Sequence, residues 1–73
     1  MNATGSHSQE SALTPRELEV VSLLVRGNSN PQIAAELGLS ERTVYGVIDG
    51  IKRKLGVSTR AEMLRHVRAH GIG

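Results

Sequence analysis

Val44, Val47, Ile48, Ile51 and Leu55 fall at i, i+3, i+4, i+7 and i+11. That spacing draws one continuous apolar stripe along an α-helix. Ser40 stands before the stretch as a cap. Gly56 ends it after the basic turn Lys52-Arg53-Lys54, which suits the negative end of the helix dipole. Burying the stripe turns Arg42, Tyr45, Gly46, Asp49, Lys52 and Arg53 outward. The rest of the chain must therefore supply a core for one face of this helix while leaving the other face free.

That core has to be aliphatic. The 73 residues include no cysteine, Phe or Trp and one aromatic side chain, Tyr45, so neither disulfides nor a thiolate metal site can staple the fold. Three further helices can be bracketed by their start and stop residues. In the first, over about 15–26, Thr14 is the cap, Pro15 suits the first position and Glu17 completes a capping box. Leu13 and Leu18 are placed for a staple across that cap. Leu18, Val21, Leu24 and Val25 follow at helical spacing until Gly27. The second helix, over about 31–37, takes Asn30 as cap and Pro31 at its first position. Ile33, Ala34 and Leu37 form its apolar face, and Gly38 supplies the positive φ of a tight helix end. With the third helix at 41–55, a fourth runs over about 59–70 from a Ser58 cap to Gly71, with Ala61, Leu64, Val67 and Met63 as apolar positions. The expected fold is an all-α four-helix bundle over 13–73. Residues 1–12, polar and small, read as a disordered arm or a cloning remnant.

Charge divides the chain. Residues 1–39 carry Arg16 and Arg26 against Glu10, Glu17, Glu19 and Glu36, a net −2. Residues 40–73 carry seven Lys and Arg against three Asp and Glu, a net +4. A basic half suits a polyanion, because Lys and Arg displace condensed counterions from phosphates; a solvated helix face could carry the same charge. No stretch approaches the ~18 apolar residues of a membrane span, and no basic-then-apolar leader opens the chain. A cytoplasmic protein without membrane contact is expected. Ser, His and Asp occur in no triad-like or nucleophile-elbow arrangement, and no glycine loop could cradle a phosphate, so no catalysis is expected. Glu62, His66 and His70 follow at i, i+4 and i+8, a spacing that could hold a metal. Histidines near a helix C-terminus more simply answer its dipole, and neither metal nor cofactor is expected.

The second and third helices, joined by Leu37-Gly38-Leu39-Ser40, have the form of a helix-turn-helix, whose second helix can enter a DNA major groove. An ordinary bundle with a polar face remains open on periodicity and charge. The stretches Leu13-Thr14-Pro15-Arg16-Glu17-Leu18-Glu19-Val20-Val21, Asn30-Pro31-Gln32-Ile33-Ala34-Ala35-Glu36-Leu37-Gly38-Leu39-Ser40, Thr43-Val44 and Ile51-Lys52-Arg53-Lys54-Leu55-Gly56-Val57 resemble, in order and spacing, the LuxR-type (GerE-like) domain. The resemblance spans about residues 13–72.

It implies a bacterial transcription regulator that binds double-stranded DNA through its third helix and forms a homodimer through its fourth, with RNA polymerase as a further partner. Tyr45, Gly46 and Asp49 match base-contacting positions, and Arg42 joins them on the outward face. Thr43, Arg53, Lys54, Ser58, Thr59 and Arg60 match phosphate-facing positions, to which Lys52 is added. Met63, His66, Val67 and His70 are the candidates for dimerisation. The chain departs from the family where Lys is common at position 45, His at 47 and Lys at 31, and Asp49 adds an anion. Gly46 and Gly50 each cost about 1 kcal/mol of helix stability against alanine. Two rivals share parts of the pattern. A sigma-factor region-4-like domain would usually end in its basic third helix, and a protein-interaction module would pair with another regulator without touching DNA.

Overall fold

The computed structural model describes residues 13–71. Four helices organise them: α1 (Pro15–Val25), α2 (Asn30–Leu37), α3 (Glu41–Leu55) and α4 (Arg60–Ala69), with no strand among the described residues. The expected all-α bundle is the fold found. The arm expected over residues 1–12 lies outside the described residues.

Each helix starts where an extended residue turns its side-chain oxygen onto a backbone N–H three positions on. Thr14 accepts from Glu17, Ser29 from Gln32, Ser40 from Thr43 and Thr59 from Glu62. In α1, α2 and α4 the third helical residue reaches back to the cap's own N–H, which completes a capping box. Two caps differ from expectation. Ser29 caps α2 in place of Asn30, because Gln32 lies three residues beyond it and returns a 2.8 Å bond to its N–H. Thr59 caps α4 in place of Ser58 for the same reason, with Glu62 as its partner.

α1 and α3 each pack against the other three helices, while α2 and α4 are held apart by them. The core is Leu13, Val20, Val21, Leu24, Ile33, Ala34, Val44, Ile48, Ile51, Met63 and Val67. Val47 and Leu55, expected on the buried stripe, lie half-buried at its margins. α1 is rotated from the expected face. Glu17, Val20, Val21 and Leu24 form its inner row, so Leu18, two residues from Val20, must point away and is 41% exposed. Leu18 instead lines a shallow cleft with Leu23 and Leu37. On α4 the inner row is Met63 and Val67, with Leu64 half-buried and Ala61 exposed.

Two carboxylates tie distant parts of this frame. Glu17 accepts a 2.7 Å ion-paired bond from Lys54 Nζ at the end of α3 and a 2.8 Å bond from the Thr14 N–H. Its side chain is only 12% exposed. Burial pushes its pKa up, but the bonds from Lys54 and Thr14 together with the Lys54 charge outweigh that, holding it below the ordinary 4.5. Glu62, on the surface, is also held below 4.5, chiefly by the backbone N–H groups of Ser58 and Thr59.

A carboxylate whose pKa is lowered by folding stabilises the fold at pH values above its unfolded pKa. That contribution is lost as acid carries the solution below 4.5 and through the lower folded value. Wild-type protein should therefore lose stability between neutral pH and pH ~3, and a Glu17→Ala/Glu62→Ala variant should lose distinctly less, measured by urea unfolding at each pH. Core and surface leucine-sized positions should also separate. Met63→Ala, leaving a cavity, should cost about 2–5 kcal/mol, comparable with the whole stability of a domain this small. Leu18→Ala should change it by about 0.5 kcal/mol or less in the same assay.

Candidate nucleic-acid interface

The joint between α2 and α3 sets the site. Gly38 takes φ 69°, a left-handed conformation that residues with a Cβ rarely adopt, and the following Leu39 N–H closes the helix end on Ala34 O at 2.9 Å. Ser40 then caps α3, with its hydroxyl also bonded to Thr43 Oγ1 at 2.9 Å. A short helix, a left-handed glycine and a longer capped helix form the helix-turn-helix.

α3 is clamped along one side. Val44 and Ile51 have no exposed surface and Ile48 is 6% exposed. The other side carries Arg42, Thr43, Tyr45, Gly46, Asp49, Arg53 and Lys54 to solvent, with Tyr45 55% exposed. Lys52 lies half-buried at the edge. Tyr45, Gly46, Asp49 and Lys52 line one wall of a cleft of about 280 Å³, whose other wall is Asn30 and Arg60. The structure thus gathers the expected base-contacting set on one face and brings the start of α4 beside it.

Several phosphate-facing candidates are already engaged within the domain. Lys54 is paired with Glu17. Arg60 reaches across to α2, donating to Asn30 Oδ1 at 2.9 Å and to the Asn28 carbonyl at 3.4 Å. The N–H groups of Ser58 and Thr59 both donate to Glu62 Oε1, at 2.8 and 3.2 Å, so each already has an acceptor within the domain. Thr43 and Arg53 stay on the exposed rim.

Asn30, expected as the cap of α2, has another role. It is a helical residue, 9% exposed, whose amide fixes the Arg60 guanidinium. A capping side chain serves the backbone of its own helix, and no local signal links Asn30 to a residue 30 positions away.

The dimerisation set needs correction. Met63 is 1% exposed and Val67 not at all, because both fill the core against α1 and α3. They offer nothing to a second copy. His66, half-buried on α4, and His70, exposed at its C-cap, have their rings stacked with centroids 4.2 Å apart and planes 26° from parallel. Glu62 is turned to the α4 cap, and no group of three metal-ligating side chains occurs among the described residues. No helix among them is long and apolar enough to cross a membrane.

Comparison with known proteins agrees with this geometry. The GerE family model, described as bacterial regulatory proteins of the luxR family, matches residues 11–67. The chain is 42% identical over 60 residues to the transcriptional regulatory protein MctR of Rhizobium johnstonii, an alignment covering 82% of the chain and 28% of MctR. It is 39% identical over 70 residues to the probable HTH-type transcriptional regulator GfsR of Streptomyces halstedii, covering 96% of the chain and 29% of that protein. Identity is 35% over 63 residues to the HTH-type transcriptional activator RamA of Corynebacterium glutamicum, covering 86% and 22%. The chain thus spans less than a third of the length of these relatives. By its four capped helices, its glycine turn and this match, the chain belongs to the LuxR family of bacterial regulatory proteins, with its helix-turn-helix inside the matched residues.

Proposed function

We propose that the domain binds double-stranded DNA with sequence specificity, α3 lying in the major groove, and that it regulates transcription in this way. One observation carries the reading: α3 is anchored by Val44, Ile48 and Ile51 and turns Arg42, Tyr45, Gly46, Asp49 and Arg53 to solvent as a single row. A helix held by one face and bare on the other is what groove insertion needs. Asp49 is repelled by phosphates but can accept from cytosine N4, and Tyr45 can pack on a thymine methyl. Thr43 and Arg53 at the rim meet the backbones, where contacts set register rather than sequence.

Two copies bind together, placing their α3 helices in half-sites about one DNA turn apart. The contact runs along the surface of α4 at His66 and His70. The face around them, with Glu62, Arg65 and Ala69, carries charged side chains and no fully exposed large apolar one, Val57 lying half-buried at its edge. Pairing therefore depends on the DNA that holds both copies, and the domain alone is a monomer in solution. The relatives' greater length leaves further domains of a longer regulator to strengthen it.

Titration with duplex pools should give an affinity that falls steeply as salt rises. Arg53→Ala should weaken binding to all sequences alike and reduce the log–log salt slope by about 1, whereas Tyr45→Ala or Asp49→Ala should alter the sequence enriched from random duplexes. Arg60→Ala should lower both DNA affinity and melting temperature, because it also breaks the bridge to Asn30 and Asn28. A domain with no salt-dependent affinity for any duplex would instead be a protein-interaction module. Sedimentation of the domain with and without a two-half-site duplex tests the pairing, and one bound copy at saturation would dismiss it.

A further inference from the structure

Two glycines lie inside α3, where glycine is disfavoured against alanine, and the structure separates them. A Cβ on Gly50 would come to 3.5 Å from Glu17 Oε2, ordinary contact with the carboxylate that pairs with Lys54. Gly50 therefore borders a packed internal contact. Gly46 does not. It is exposed, and a Cβ there would meet nothing within 4 Å. Neither its backbone, which is ordinary helix, nor any neighbour in the domain calls for a missing side chain.

We propose that Gly46 is a specificity-determining position through the side chain it lacks. Its bare backbone lets α3 settle against a base pair, so that Tyr45 and Asp49 reach the neighbouring base edges. The inference rests on the reading of α3 as the DNA-facing helix. Gly46 sits in the outward row, bordered by Tyr45 before it and Asp49 three residues on, and it lines the cleft they share with Lys52 and Arg60. A Cβ stands about 1.5 Å off the backbone, enough to lift the helix away and lengthen hydrogen bonds that need heavy atoms within about 3.2 Å. The phosphate contact of Arg53, made by a long flexible side chain at the rim, tolerates such a displacement; short contacts from Asp49 do not.

The test is Gly46→Ala, with Gly46→Asn as a larger probe, in the intact chain. Wild-type protein is first used to enrich a sequence from random duplexes. Each variant is then measured on that sequence and on an unrelated duplex, beside its melting temperature. Gly46→Ala should melt a few degrees higher than wild type, since alanine favours the helix. It should bind the enriched sequence at least ten times more weakly, with affinity for the unrelated duplex unchanged, and Gly46→Asn should lose more. Equal affinity of wild type and Gly46→Ala for the enriched sequence overturns the proposal while leaving the DNA reading intact. A variant that melts lower than wild type also overturns it, because the glycine would then serve the fold. Failure of wild type to enrich any sequence removes the DNA reading and this inference together.

Discussion

The burial of Val44, Ile48 and Ile51 is the contact on which everything else depends. These residues place α3 against α1, α2 and α4 at once, so the helix has no freedom to roll about its axis. Tight packing on one side leaves the opposite side defined to within a residue. Arg42, Tyr45, Gly46, Asp49 and Arg53 are outward for that reason, and not because they are polar. Gly46 has no polarity to speak of, and Tyr45 is mostly apolar surface.

Around this anchor the domain is braced by polar bonds between residues far apart in sequence. Lys54 closes the end of α3 onto α1 through Glu17, and Arg60 closes the start of α4 onto α2 through Asn30. The second brace matters because α2 and α4 do not pack on one another. Both braces use cations at the edge of the proposed interface. Their charge still contributes to the local positive potential, but their geometry is set by the fold. Exposed ion pairs are weak in general; Glu17, largely enclosed and also bonded to Thr14, is better placed than most.

How legible this was in the sequence varies with the range of the interaction. Helix count, order and approximate bounds followed from capping residues, glycines and apolar spacing, all of which act within one turn. The two misplaced caps arose where adjacent residues could each serve, Ser29 beside Asn30 and Ser58 beside Thr59. The position of the returning Gln32 or Glu62 decided between them. The inner face of α1 is not decided by spacing, because Leu18 and Val20 are both apolar and a helical period fits either. What α1 packs against selects Val20.

From its order of residues alone, this chain determined four capped helices, a glycine-jointed pair and an outward row on the third, because each rests on local backbone preference or on periodicity. Only the tertiary structure decided that Met63 and Val67 belong to the core, that Lys54 and Arg60 are held by Glu17 and Asn30, and that Gly46 has empty space before it while Gly50 does not. Those outcomes depend on which surfaces meet across separations of about 30 residues or more. No periodicity within a single helix carries that information.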